Sequence, residues 1–278
     1  MNMDRMVWEV FESLERKGFG ALGEPHIPMW EEPLVGVASG DDPYFTFLKE
    51  HVGDFHWTPA EAFAQLYEGG VAKDLRVLSM VFPQSPVTRQ EQAKARSFPT
   101  DHWVISRREW GSLMEEFGGK LVKRLGQEGI RAVSVDLLPR WRLVRTDNLG
   151  LASSWSHRHG AFAAGLGTFG LSEGFISEKG KAVRITTAIL EADIPVTPRG
   201  DRGPYDWCLY YAKGICGSCI RRCPTKAITQ RGHDKEKCER YIDDIEVRLR
   251  PDHLEKKGQK FGCGICQVKI PCEDKKPL

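Results

Sequence analysis

Eight cysteines fall between positions 208 and 272, and none precedes them. They divide into two sets of four. The first is Cys208 followed by Cys216-Gly217-Ser218-Cys219-Ile220-Arg221-Arg222-Cys223-Pro224-Thr225; the second is Cys238 followed by Cys263-Gly264-Ile265-Cys266-Gln267-Val268-Lys269-Ile270-Pro271-Cys272. Thiolates so grouped bind soft metals. A zinc ribbon would use Cys216/Cys219 and Cys263/Cys266, but it leaves Cys208, Cys223, Cys238 and Cys272 without a role and the proline after Cys223 unexplained. A disulfide framework suits short secreted chains, whereas 278 residues can bury a core without staples. Two iron-sulfur clusters use every cysteine, and Cys-x3-Cys-Pro closes the bacterial cluster-binding run.

In paired-cluster domains the last cysteine of each run crosses to the other cluster, because the two halves pack as a pseudo-repeat. That rule gives one [4Fe-4S] cluster to Cys208, Cys216, Cys219 and Cys272 and the other to Cys223, Cys238, Cys263 and Cys266. From Val196 onward the chain holds 18 Lys+Arg against 12 Asp+Glu, or +6, and the rest carries −4. Each cluster with four thiolates is a net anion, so nearby Lys and Arg offset it. A basic face for RNA is the second reading of the same charges.

His157, Arg158 and His159 form the densest titratable group outside the cysteine region. A neutral imidazole can bind a metal or hold a proton near pH 7, and a guanidinium can clamp an anion. The competing reading is a solvated helix face. Just beyond lies Gly165-Leu166-Gly167-Thr168-Phe169-Gly170, which matches the spacing of a dinucleotide turn. That turn needs a strand before its first glycine, and WSHRHGAFAA reads as a helix, so NAD is not expected.

The elements that must position these groups follow from pattern. Met6 to Lys17 has helical apolar spacing. Thr58-Pro59-Ala60-Glu61 is a capping-box start, and His51, Phe55, His56 and Trp57 before it read as a staple or as a cover for the site. Leu75 to Phe82 is a buried strand, and Gln84 to Asp101, polar with two prolines, reads as a long loop. A helix runs from Ser106 to Leu125, then a strand from Arg131 to Val135, an irregular stretch from Leu137 to Ser154, a short helix from Trp155 to Ala164 and a strand from Val183 to Leu190. Strand, long helix, strand implies a layered α/β domain. Pro195 to Pro204 is the expected linker, dividing residues 1–195, a cofactor- and substrate-binding domain, from 196–278, the cluster domain. No segment approaches the ~18 apolar residues of a membrane span.

Val135-Asp136-Leu137-Leu138-Pro139, then Ala164 to Gly170, then the paired cysteine runs, together resemble the epoxyqueuosine reductases and, more distantly, the corrinoid reductive dehalogenases. The resemblance covers roughly Leu75 to Cys272. It implies an α+β chain: a nitroreductase-like, cobalamin-binding α/β domain followed by a two-cluster ferredoxin-like domain. It also implies low-potential electrons passing through the clusters to a cobalamin that reduces the substrate. On this reading Asp136 or His157 supplies a proton, and Trp155, Ser156, Arg158, Gly165, Leu166, Gly167, Thr168, Gly170 and Ser172 line the corrinoid, with the glycines admitting a flat macrocycle.

The chain departs from the family in three places. Extra residues separate Asp136 from the glycine turn, so that Ser153 or Ser154 takes the acid's place if the helix sets the alignment. Seven residues separate Cys208 from Cys216, a longer loop than the family's. The chain ends six residues after Cys272, without the C-terminal repeat domain that helps those enzymes hold transfer RNA, which argues for a small substrate over tRNA. The expected partners are a redox donor of ferredoxin or flavodoxin type and a small molecule, in a reducing cytoplasm, since no signal region or twin-arginine address opens the chain. A ferredoxin-type carrier without a corrinoid, or a flavin-linked reductase, is the alternative.

Overall fold

The computed structural model describes residues 2–15, 27–68, 71–147, 149–249 and 262–278. The apolar spacing of the N-terminus folds as α1 (Met3–Glu15), with Val7, Phe11 and Leu14 fully buried; the last two residues of the expected helix lie outside the described residues. β1 (Leu34–Ser39) is followed by α2 (Pro43–Val52) and α3 (Pro59–Phe63). α3 opens on the expected capping box: the Thr58 hydroxyl accepts from the Glu61 N–H, and the Glu61 carboxylate accepts from the Thr58 N–H.

β2 (Leu75–Pro83) leads not into a loop but into a second helix, α4 (Pro86–Lys94), before the long α5 (Asp101–Gln127). The polarity of Gln84 to Asp101 hid α4. Ser85 caps it and Pro86 occupies its first turn, as helix starts require. Its inward residues are polar because they bond to backbone: Gln92 Nε2 donates to the Cys263 carbonyl at 2.8 Å, and Gln92 Oε1 accepts from the Thr100 N–H at 2.9 Å. β3 (Arg131–Ser134) follows. The stretch expected to be irregular contains a hairpin, β4 (Leu143–Thr146) and β5 (Gly150–Ser153), turned through Gly150 at φ +64°.

After the hairpin come α6 (His157–Ala163), β6 (Gly167–Phe169) paired with β7 (Phe175–Ser177), and β8 (Val183–Glu191). The cysteine region adds α7 (Leu209–Lys213), α8 (Ser218–Arg222), β9 (Ile228–Thr229) paired with β10 (Gly232–His233), and α9 (Lys235–Leu249).

The central sheet has the order β1-β2-β8-β3, with all neighbours antiparallel. Period-two alternation sends its two faces into two cores. Leu78, Met80 and Phe82 of β2, with Ala188 and Leu190 of β8, meet α1 and α5; Val77 and Ile189 meet α2, α3 and α6, and Val81 and Ile185 meet α6 with β6 and β7. The result is a three-layered domain, as strand, long helix, strand implied. Its helices approach closely where the facing residue is glycine. A Cβ on Gly118 of α5 would lie 2.3 Å from Ser134 Oγ, and one on Gly160 of α6 would lie 3.0 Å from Thr187 Cγ2.

The cysteine region docks along the start of β8. The Lys181 N–H donates to the Cys272 carbonyl at 2.7 Å, and the Ala182 N–H to the Glu273 carbonyl at 3.0 Å. The segment expected as a linker is held to the sheet: Thr197 N–H donates to the Val37 carbonyl at 2.8 Å, and Thr197 Oγ1 accepts from the Val37 N–H at 2.9 Å.

Candidate redox site

Two groups of residues come together on opposite sides of β6 and β7. The first arises where β3 leaves the sheet. β3 pairs with β8 only as far as Ser134 and Ala188, whereas β2 follows β8 along its whole length. Beyond that point the edge of β8 is open, and Asp136 fills it. Thr186 Oγ1 donates to Asp136 Oδ2. His157, the first residue of α6, brings Nε2 to 3.5 Å from Asp136 Oδ1. The extra residues between Asp136 and the glycine turn are the β4–β5 hairpin, which leaves and returns, so Asp136 still meets the helix preceding the turn.

The His157 ring is fixed from behind. Trp155 Nε1, a donor only, donates to Thr187 Oγ1 at 2.8 Å. Thr187 Oγ1 in turn lies 2.9 Å from His157 Nδ1. With one lone pair taken by the indole, the hydroxyl still has its own hydrogen to give Nδ1 of a neutral ring, which leaves the ring proton on Nε2, facing Asp136. Burial alone would raise the Asp136 carboxyl; the neighbouring His157 charge and the hydrogen bonds from His157 and Thr186 outweigh it and hold the carboxyl below its ordinary range. Both side chains remain about one-fifth exposed, 20% for His157 and 21% for Asp136, so the pair is set into the surface and still accessible.

Sequence reasoning singled out Asp136 and His157 but missed Thr186 and Thr187. The available signal was two consecutive hydroxyls inside the otherwise apolar run of β8. Ser153 and Ser154 do not take the acid's place: Ser153 Oγ donates to the Trp155 carbonyl, and buried Ser154 Oγ accepts from the Arg142 N–H.

The residues expected to line a corrinoid separate by exposure. Ser156, Arg158, Gly165 and Leu166 are accessible, whereas Trp155, Gly167, Thr168, Gly170 and Ser172 are buried. The glycines of the turn make room for protein. A Cβ on Gly165 would lie 2.8 Å from the Pro198 carbonyl and one on Gly167 2.1 Å from the Ile176 carbonyl. The turn follows a helix and enters a strand, the reverse of a dinucleotide turn. Thr168 Oγ1 accepts from the Trp207 N–H at 3.2 Å. Arg158 belongs to a charged group: its Nη1 donates to the Glu173 carbonyl at 2.5 Å, and the Glu173 carboxylate lies 3.4 Å from Lys235 Nζ and 3.8 Å from His233 Nδ1.

His159, one turn along α6, packs against Phe169 with ring centroids 4.8 Å apart and bonds through Nδ1 to Ser156 Oγ at 2.7 Å. Burial, aided by the Arg158 charge, pulls its pKa down to about 3. The folded protein keeps this ring neutral while the unfolded chain protonates it below about 6.5, so stability is lost as pH falls through that value. Between pH 7.5 and 5.5 the loss attributable to His159 is about 1.4 kcal/mol. Urea unfolding of parent and His159→Gln at both pH values checks this; the variant is expected to lose less stability than the parent by that amount.

The second group is the cysteines. Cys208, Cys216, Cys219 and Cys272 line one cavity, together with Leu171, Ile176 and Tyr210. Cys223, Cys238, Cys263 and Cys266 lie close enough for each thiolate to disfavour its neighbours. The cavity thus gathers the four cysteines that the crossover rule assigns to one cluster. As free thiols these sites are costly to ionise: burial, with crowding by like charges, pushes Cys272 and Cys238 up to about 11 and Cys263 up to about 12. Such a donor set fits a multivalent cationic core. Cys223 Sγ accepts from the Ala227 N–H at 3.2 Å, a bond of the kind that tunes cluster sulfurs. Gly264, at φ +63°, turns the second run over Trp103; a Cβ there would lie 2.0 Å from the indole.

Residues 214–272 match the family model of the 4Fe-4S double cluster binding domain, which bears out clusters over zinc. A stretch of 112 residues is 37% identical to an epoxyqueuosine reductase of Leadbetterella byssophila, covering 39% of this chain and 34% of that protein. The chain therefore spans about a third of the curated relative it matches. Among solved structures, it is similar to a reductive dehalogenase studied for B12-dependent dehalogenation, at TM-score 0.52 and 16% identity over 88% of this chain and 30% of that one. It is also similar to the epoxyqueuosine reductase of Bacillus subtilis, at TM-score 0.48 and 18% identity over 98% and 67%. The mixed helix-and-sheet fold and the resemblance in sequence to epoxyqueuosine reductase agree with the reading of the motifs. Among the described residues no helix is long and apolar enough to cross a membrane.

Proposed function

We propose that the chain is an iron-sulfur oxidoreductase that passes low-potential electrons through two [4Fe-4S] clusters to a reducing centre above the His157–Asp136 pair. The carrying observation is the occurrence, in one chain, of a double-cluster domain and a partly exposed histidine–carboxylate pair. A carrier of electrons needs only the first. Cys208, Cys216, Cys219 and Cys272 hold one cluster; Cys223, Cys238, Cys263 and Cys266 hold the other.

The similarity to epoxyqueuosine reductases and a B12-dependent dehalogenase suggests cobalamin as the reducing centre. Its fit to this chain rests on the accessible side chains: Ser156, Arg158 and Leu166 would border it, and His157 would face it. Bound there, cobalamin would supply a low-valent cobalt able to reduce a carbon centre. The chain's own part is acid–base and positional. Thr187 and Trp155 hold the His157 ring in one orientation; Asp136, kept as a carboxylate, faces Nε2; and His157 Nε2 gives the proton that must accompany the electrons. The substrate is a small molecule on this reading, and the redox donor is of ferredoxin or flavodoxin type. The relative's transfer RNA chemistry is the lesser alternative, since the match covers a third of that protein.

Anaerobic reconstitution with iron, sulfide and cobalamin, followed by desalting and metal analysis, tests the reading. About eight irons and one cobalt per chain are expected. Eight irons without cobalt or flavin would make the chain an electron carrier; retained yellow colour after cluster removal would make it a flavin-linked reductase.

A further inference from the structure

Lys181 is a lysine in the wrong place for an ordinary surface charge. It immediately precedes β8, and only 3% of it is exposed. Its Nζ donates to Ser172 Oγ, and among the described residues it has no carboxylate partner. Its stem runs so close beneath Gly174 that a Cβ there would lie 2.4 Å from Lys181 Cε. A buried ammonium is strongly disfavoured unless an anion compensates it. The side chain lines the cavity of Cys208, Cys216, Cys219 and Cys272, and its backbone N–H holds the Cys272 carbonyl at 2.7 Å.

Arg222, another cation of this region, gives its Nε to the Ile265 and Val268 carbonyls.

We infer that Lys181 is the fixed positive charge of the cluster held by Cys208, Cys216, Cys219 and Cys272, a positioning residue that stabilises its reduced form; this rests on the two-cluster reading above. The cluster gains one electron and one negative charge on reduction, so a buried ammonium beside it raises its potential. Ser172, expected to line a corrinoid, instead orients this lysine.

Redox titration of the reconstituted protein, followed by electron paramagnetic resonance, tests the inference. In Lys181→Met one couple, that of the cluster of Cys208, Cys216, Cys219 and Cys272, is expected to move to more negative potential, well beyond any movement of the other, with about eight irons retained. Removing the exposed charge two residues earlier, by Lys179→Met, should move neither. Unchanged potentials in Lys181→Met with full iron overturn the inference and leave the cluster reading standing; a parent that binds well under eight irons overturns that reading. If Lys181→Met assembles no clusters, Lys181→Arg decides: restored clusters at parental potential support the charge, and equal loss overturns it.

Discussion

Replacement of His157 by alanine is expected to slow substrate reduction by about 10²- to 10⁴-fold, the usual contribution of a positioned acid, with the iron content unchanged. The ring is far from a free surface histidine: Thr187 bonds Nδ1, Trp155 anchors Thr187, and Nε2 faces Asp136. Alanine removes the proton carrier and leaves that frame in place. Asp136→Asn acts differently. It keeps the shape but removes the negative charge facing Nε2, so turnover is expected to fall while the ring stays in its frame. Because Asp136 itself is held below the usual carboxylate range, it stays charged at neutral pH and the acid limb does not report it. Methyl viologen-driven turnover of a panel of epoxides and organohalides provides the assay. If both variants turn over as fast as the parent with clusters and cofactor intact, the proton comes from elsewhere.

The contrast between what could and could not be read from the residues has a physical origin. Cluster ligands lie at fixed short spacings because one inorganic core must be reached from a few turns of chain, so Cys216 with Cys219, and Cys263 with Cys266, are legible as pairs. The capping box at Thr58 is legible for the same reason: its partners are three residues apart. The His157–Asp136 pair is built from tertiary contacts. Asp136 is placed by the end of β3, His157 by the start of α6, and the β4–β5 hairpin between them makes their separation in sequence uninformative. Thr186 and Thr187 were concealed by an apolar strand, and Lys181 by its type, since nothing local distinguishes a buried lysine from the exposed Lys179 beside it.

Polarity misled in the other direction at α4. A helix with Thr88, Arg89 and Gln92 inside carries no apolar stripe, and its burial is repaid through hydrogen bonds to Cys263 and Thr100. That helix ties the cluster region to the layered domain. The glycine turn misled through its motif: its lack of side chains serves the Pro198 loop and β7.

Single ligand substitutions should divide the iron in half. Cys208→Ala and Cys238→Ala are each expected to retain about four of eight irons, since each removes one ligand from one set. The sharper test is which pairs of losses coincide. Cys272 lines one cavity with Cys208, Cys216 and Cys219, and the crossover rule leaves Cys223 to Cys238, Cys263 and Cys266. Cys208→Ala with Cys272→Ala should therefore still hold about four irons, because both changes fall on one cluster. Cys208→Ala with Cys223→Ala should hold almost none, although those two cysteines lie in the same run. Grouping by sequence order requires the opposite pattern, so iron analysis of the two double variants decides between a crossed and an uncrossed domain.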